Sequence, residues 1–437
     1  MPYWSLPLGT TARPPSEAEA ALRVRELLTQ AVRRRLVADV SLGVFLSGGL
    51  DSSIIVGIMS GLVQEPVRTF SIGFTGDPRF DETAYARLVS RRFGTQHTEF
   101  IAEPSSVGLI ERLVWHHDGP FADSSAIPTY LLSRMTRQHV TVALNGDGGD
   151  ELFAGYLRFY AAVASERVPQ RIRQAIWRLT RTLPNRAGHG TLASRFTKWA
   201  GSASLPFIER YSRWISVFYD DLPILLDSTD PGFEAISAAR HDPAVPLAAF
   251  DPHVRRSAQA SRLTQLLYLN MKTYLLDDLL VKMDRCSMAH GLEARSPFLD
   301  RELMEYVFQL PDDMKLRWGR TKVVLRRAFA DLLPAAIQRR RKMGFGVPLR
   351  AWFTSDLQDY VRDLLLAPGA RLRAHVNHAY VRRLVEAHLA GEADYSHRLW
   401  TLLTFEVWLR DVSLGAGAPP PPSASAAWAR TPLGAAR

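Results

Sequence analysis

The chain has 437 residues, 46% of them hydrophobic and 22% charged, a composition that fits a folded protein of two or three ordinary domains. Lys and Arg number 54 against 44 Asp and Glu, a net charge of +10, but basic runs such as Arg33-Arg34-Arg35 and Arg339-Arg340-Arg341 are short and far apart, which weighs against a nucleic-acid-binding face. The one cysteine, Cys286, excludes an internal disulfide and a cysteine zinc site; no apolar run reaches about 18 residues, and Met1-Pro2-Tyr3-Trp4-Ser5 lacks a basic-then-apolar leader, so no membrane partner and a cytoplasmic setting are expected.

Residues 1–15 carry Pro2, Pro7, Pro14 and Pro15 and read as a linker. Ser16 and Glu19 have capping-box spacing, which predicts a helix from there to about Val37. Val40 to Leu46 is short, apolar and glycine-bounded, and reads as a buried strand. The turn Ser47-Gly48-Gly49 follows, then a helix from Asp51 to Leu62. Val67 to Phe74 reads as a second strand, Asp81 as the cap of a helix ending near Gly94, and His97 to Ile101 as a third strand. Helices are expected over about 105–117 and 124–138. Val140 to Leu144 reads as a fourth strand and runs straight into Asn145-Gly-Asp-Gly-Gly-Asp150-Glu151.

Alternating strands and helices predict an α/β fold: a parallel sheet with helices on both faces, here a core over 16–160. Ligands of such sheets sit outside the carboxyl ends of the strands, where both glycine-rich loops fall. A mainly helical region is expected over 161–410. The Pro-, Ala- and Ser-rich segment 411–437 reads as a disordered tail.

The two loops carry the chemistry. A triphosphate needs converging backbone N–H donors, which glycines expose and a following helix reinforces with its positive end. Ser47-Gly48-Gly49 supplies the turn and Asp51-Ser52-Ser53 opens the helix, with no Gly-Lys-Ser/Thr ending as in a Walker loop. Asp51 beside phosphates calls for a cation between them, hence Mg²⁺. An aspartate cap on an ordinary turn is the plainer reading of the triplet alone. In the second loop Asp147, Asp150 and Glu151 crowd like charges together, which a cation or a proton must relieve; a solvated acidic turn is the alternative.

Ser47–Ser52, Asn145–Tyr156, Asp277–Met288, Glu293–Asp300, Lys322–Arg326 and Arg341–Pro348, in that order, resemble the synthetase domain of the asparagine synthetases. The resemblance covers roughly residues 16–410. It implies an adenine nucleotide alpha-hydrolase-like fold with a pyrophosphate (PP) loop, and an AMP-forming ligase. MgATP and aspartate would give β-aspartyl-AMP and pyrophosphate, and ammonia would then give asparagine and AMP. By this likeness Leu46, Ser47, Gly48, Gly49, Asp51 and Ser52 hold ATP, with Ile72 on the adenine side and Asn145-Gly146 as a second nucleotide contact. Asp51 and Asp150 match the magnesium-binding acids. Lys322 matches the lysine that stabilises charge on the transferred phosphate, and Lys342 is a further phosphate contact. Asp147 and Glu151 are assigned catalytic roles, and Asp123, Ser124 and Ser125 lie where the acceptor binds.

Two departures bear on function. Asp147 stands where the family often has Glu, the acid that manages the proton of the incoming ammonia, so the geometry or the nucleophile differs. Residue 2 is Pro, whereas family members commonly begin with a glutaminase domain whose catalytic Cys follows Met. The chain is therefore expected to carry no glutaminase and to take ammonia free or from a separate glutaminase partner; a fragment or a misplaced start would account for Pro2 equally well. A related amide or lactam synthetase acting on a specialised metabolite or peptide, with an internal amine as nucleophile, is the second functional reading. A non-enzymatic scaffold and a tRNA-modifying enzyme are disfavoured by Asp51, Asp150, Lys322 and the downstream motifs. Asp277, Asp278, Lys282, Asp284 and Arg285 read as interdomain ion pairs, Glu293, Arg295 and Asp300 as buttresses, and Cys286 as a packed thiol.

Overall fold

A computed structural model describes residues 3–9, 13–74, 81–102, 107–180, 196, 199–226, 247–340, 342–344, 346–355 and 357–411. The expected tail beyond residue 411, part of the expected linker, and Arg341 and Phe345 of the last motif lie outside these residues.

Helix α1 (Glu17–Arg35) starts with the expected capping box: Ser16 Oγ accepts from the Glu19 N–H and Glu19 reaches back to the Ser16 N–H. Strand β1 (Leu42–Phe45) leads into α2 (Leu50–Leu62). That helix is buried from Leu50 to Met59, so its polar residues at the start, Asp51, Ser52 and Ser53, are expected to need partners. Strand β2 (Arg68–Phe74), α3 (Thr83–Phe93), β3 (Gln96–Ala102), α4 (Val107–His117), α5 (Ala126–Thr136) and β4 (Val142–Leu144) follow. Each expected strand and helix of this half is present within two or three residues of its expected ends. Asp81 accepts from the Thr83 N–H at 2.9 Å, and Gly94 ends α3 in the left-handed region.

The sheet has five parallel strands in the order β3-β2-β1-β4-β5. The fifth strand is unexpected. It is β5 (Glu293–Arg295), from the helical second half, with Val142 opposite Glu293 and Leu144 opposite Arg295. Glu293 and Arg295 thus act as a sheet edge as well as an ion pair, at 2.6 Å.

Helices cover both faces. One core joins α1 and α2 to helices Arg262–Lys272, Arg301–Gln309 and Val323–Ala328, through residues such as Val24, Ile55, Leu266, Val307 and Leu325. The other joins β2, β3, α4 and α5 to helices Gln358–Leu366, His378–Leu389 and Ser396–Asp411. Each fully buried Leu, Ile or Phe contributes about 1.5–3 kcal/mol of transfer free energy. The second half therefore folds onto the sheet from both sides. Trp4 also packs, its Nε1–H donating to Glu305 at 2.5 Å, and Leu6 is buried. Among the described residues no helix is long and apolar enough to cross a membrane.

Candidate active site at the carboxyl ends of the strands

The loop after β1 is shaped by contacts on both sides. Gly48 has φ +65°, and a Cβ there would lie 2.5 Å from Tyr85, so only glycine fits. Ser47 Oγ accepts from the Gly49 N–H at 3.2 Å and lies 3.1 Å from Ser52 Oγ. The Ser47 carbonyl accepts from Arg340 Nη1 at 3.0 Å. Arg340 also pairs with Glu82, and its guanidinium stacks 4.0 Å from the Tyr85 ring centre.

The loop after β4 is held by the fifth strand. The Asn145 N–H donates to the Arg295 carbonyl at 2.9 Å. Asn145 Oδ1 accepts from Ser296 Oγ at 2.6 Å and from the Asp147 N–H at 3.2 Å. The short helix α6 (Gly149–Leu152) then carries Asp150 and Glu151 inward, both buried, ahead of α7 (Leu157–Glu166).

Lys322 closes the site. It is 4% exposed and sits at φ +55°, between the hairpin β6 (Leu316–Arg317) and β7 (Arg320–Thr321) and the helix Val323–Ala328. Its Nζ pairs with Asp51 Oδ2 and lies 2.6 Å from Asp150 Oδ1. Lys342 Nζ lies 2.5 Å from Asp150 Oδ2. At Gly155 there is no space for a side chain, since a Cβ would lie 1.9 Å from Asp150 Oδ1.

These charges set the protonation of the acids. Burial raises Asp51 above the usual carboxylate range, with Lys322 opposing. Burial acts on Asp150 in the same sense, but Lys322 and Lys342 overcome it and hold that carboxyl well below its ordinary value. Burial pushes Asp147 up to about 6. Burial, and then the Asp150 charge, push Glu151 up to about 7, although the Tyr156 hydroxyl donates to Glu151 Oε1 at 2.5 Å.

A cavity of about 420 Å³ opens at this rim, within the range of small-molecule sites. Phe45, Leu46, Phe70, Ile72 and Leu132 give it an apolar lining. Ser47, Gly49, Asp51, Ser52, Asp123, Ser124, Ser125, Asn145, Gly146, Asp147, Asp150, Glu151, Lys322 and Lys342 all line it too. Of the site residues read from the sequence only Gly48 is not in the lining; it carries the turn beneath. The structure thus brings the sequence-named residues together, and Lys322, a solvated helix residue on any reading of that stretch alone, is buried.

Several lining residues were missed from the sequence: Glu82, Tyr156, Tyr274, Lys282 and Arg340. Lys282 does form an ion pair, 2.7 Å from Asp123 Oδ2, but it also faces the cavity. Asp123 in turn accepts from the Ser125 N–H at 2.9 Å and from Ser125 Oγ at 2.8 Å. The signal for Lys282 was a lysine in an apolar stretch, Leu279-Leu280-Val281; the signal for Arg340 was its place beside Lys342.

The asparagine synthase family model matches residues 23–410. The chain is 30% identical over 397 residues to asparagine synthetase (glutamine-hydrolyzing) 1 of Bacillus subtilis, covering 90% of this chain and 59% of that protein. It is 31% identical over 391 residues to a putative asparagine synthetase (glutamine-hydrolyzing) of Mycobacterium tuberculosis, covering 88% and 57%. It is also 28% identical over 414 residues to amidase chyE of Penicillium rubens, covering 83% and 58%. The chain spans less than three fifths of the length of these relatives, between 57% and 59%.

Proposed function

This chain belongs to the asparagine synthase family, and from that premise we propose that it uses ATP to activate a carboxylate as an acyl-adenylate and passes the acyl group to a nitrogen nucleophile. Aspartate is the proposed acceptor and ammonia the proposed nucleophile, giving asparagine, AMP and pyrophosphate. The observation that carries this reading is the meeting of Asp51, Asp150 and Lys322, from three separate segments, on the wall of one cavity.

The adenine lies against the apolar lining at Leu46 and Ile72. The phosphates lie over Ser47, Gly49 and Ser52, whose N–H and hydroxyl groups converge at the start of α2. The acceptor carboxylate attacks the α-phosphorus, and pyrophosphate leaves. Lys322 supplies a fixed cation for the charge that grows on the phosphates, and Lys342 supports it from the other side of Asp150.

Asp51 and Asp150 also suit Mg²⁺. Among the described residues Asp51 Oδ1 is buried without a hydrogen-bond partner, while its other oxygen and the Asp150 carboxylate meet only ammonium groups. Among the described residues no group of three or more His, Cys, Asp or Glu forms an all-protein cage. That is the pattern expected of Mg²⁺, which is held by one or two carboxylates together with substrate phosphates. Bound there, the ion would neutralise phosphate charge.

In the second half of the reaction the amine attacks the acyl carbon, AMP leaves, and the nitrogen sheds a proton. Asp147 and Glu151, raised to about 6 and about 7, have proton affinities suited to accept it near neutral pH. A second reading keeps the activation and exchanges ammonia for an amine on a larger substrate. Similarity to proteins named amidase, and the short Asp147, favour it.

The test is direct. The purified chain is given MgATP, aspartate and ammonium, and pyrophosphate, AMP and asparagine are followed. All three are expected in equal amounts. Pyrophosphate that does not depend on aspartate sinks the asparagine product but spares adenylation; ADP as product sinks adenylation.

A further inference from the structure

Arg158 stands behind the cavity wall, in a setting that its place in the chain does not favour. It is the second residue of α7, where a cation meets the positive end of the helix dipole. Among the described residues it pairs with no carboxylate; its charge reaches Asp278 without forming an ion pair. Its Nε is buried without a hydrogen-bond partner. Its Nη2 donates to Asn270 Oδ1 at 3.4 Å, a long bond, and Asn270 donates in turn to the Tyr211 hydroxyl. Arg158 meets that hydroxyl too.

What holds the guanidinium is aromatic. Its central carbon lies 3.9 Å from the centre of the Tyr156 ring, 4.8 Å from that of Tyr274 and 5.7 Å from that of Phe159. The Tyr156 and Tyr274 rings are 6.4 Å apart and turned 75° to one another, so they make a corner, and the guanidinium fills it. A planar, weakly hydrated cation suits such a corner better than a compact ammonium.

Both tyrosines line the cavity, and Arg158 does not. They come from separate segments. Tyr156 follows the acidic loop and donates its hydroxyl to Glu151 Oε1 at 2.5 Å. Tyr274 opens the π-helical stretch Tyr274–Leu280, a rare conformation that is frequent at functional sites, and this runs into the helix that carries Lys282. One guanidinium thus fastens the acidic loop to a segment more than a hundred residues further on.

We infer that Arg158 is a positioning residue for amide formation: wedged between Tyr156 and Tyr274, it holds Tyr156 in the pose from which the hydroxyl fixes Glu151. Its effect on rate rests on the reading of Glu151 as a proton acceptor. The placement of the two rings is a property of its own.

Placement and rate are therefore read separately. Crystal structures of wild type and of Arg158→Met, which keeps an unbranched stem and loses the charge, show the placement. The Tyr156–Glu151 hydrogen bond is expected to open in the variant, with Tyr274 turned from its place. A bond and a Tyr274 ring that stay where they are overturn the inference, whatever the rates.

Rates are measured in a single turnover with MgATP, aspartate and ammonium, where pyrophosphate reports activation and amide reports the second step. In Arg158→Met the rate of amide formation is expected to fall about 5- to 30-fold, the worth of a desolvated cation–π contact, while first-turnover pyrophosphate release holds. Arg158→Lys keeps the charge without the plane and should recover part of the loss. It carries the same measurements if thermal melts show that Arg158→Met does not fold. Tyr156→Phe keeps the ring and removes the hydroxyl, so in that background Arg158→Met should cost nothing further. An equal cost in both backgrounds overturns the inference. A wild type that releases no pyrophosphate sinks the adenylation reading alone, because the crystal structures still decide what Arg158 holds.

Discussion

The backbone N–H of Lys322 donates to the carbonyl of Phe153 at 3.2 Å. That bond fastens the lysine's own main chain to the end of the acidic loop. With Lys322 at φ +55° and Gly155 leaving no space beside it, the side chain reaches between Asp51 and Asp150. A non-glycine residue held there costs about 1–3 kcal/mol, which the surrounding structure must offset. The site is built around this delivery of one ammonium.

Lys322→Ala is therefore expected to lower pyrophosphate release by on the order of 10²–10³ or more, as for the loss of a preorganised donor to developing charge. A steady-state assay at saturating ATP and aspartate measures it. Turnover close to wild type would remove Lys322 from the chemistry.

Asp51→Asn tests the cation. The variant keeps the shape of the side chain and removes the charge beside the phosphates. The Mg²⁺ concentration for half-maximal pyrophosphate release should rise by about tenfold or more, or turnover should vanish, as expected when one of two carboxylate ligands is lost. An unshifted magnesium titration excludes Asp51 as a ligand.

The two raised acids predict a pH limb confined to amide formation. Asp147 and Glu151 are neutral below about 6 and about 7 and charged above, so they can accept a proton only on the alkaline side. Amide formation should fall as pH drops from 7 through 6, while pyrophosphate release falls less. Rates are compared at constant free amine, whose fraction otherwise changes about tenfold per pH unit. Asp147→Asn should remove the limb near 6 and release pyrophosphate without matching amide; an unaltered profile would clear Asp147 of the role.

Gly48→Ala should fail for backbone reasons. The added Cβ meets Tyr85 at 2.5 Å and the left-handed φ is retained only under strain. A loss of about 1–3 kcal/mol in stability is expected, with weaker ATP binding. Unchanged thermal unfolding and an unchanged ATP Kd would mean that the loop relaxes freely.

Arg340→Ala should raise the KM for ATP more than it lowers kcat, because it frees the Ser47 carbonyl without touching the reacting atoms. It also leaves Glu82, already raised by burial, without its guanidinium. Arg340→Lys restores a charge but not the stacking on Tyr85, so it should recover stability more than KM. Equal recovery of both would argue for a simple charge effect.

Much of this was legible in the sequence where local pattern decides the structure. β1 and β4 are short apolar runs closed by a turn, and the two site loops follow their ends in the chain itself. β5 was not legible, because Glu293-Ala294-Arg295 has no apolar pattern; it is a strand only because the β4 edge supplies backbone partners. Arg340 and Lys282 were hidden for the same reason. Arg340 lies in a charged stretch and Lys282 follows an apolar one, and in both which cation turns inward is decided by packing against segments far away. Lys322 could be named through resemblance alone, since nothing in its neighbours foretells a buried lysine with positive φ.

The Asp51–Lys322 contact spans 271 residues of sequence, and that has a bearing on how the protein is made. Chains emerge from the ribosome at roughly 5–20 residues per second, so the phosphate loop precedes its lysine by some tens of seconds. In the part of that interval between the synthesis of Asp150 and that of β5, the first four strands are present without the fifth, and Asp51 and Asp150 lack the counter-charge of Lys322. The half-made sheet has an open edge and two carboxylates that resist burial. Synthesis, rather than chemistry, is the stage at which this molecule is most exposed to misassembly.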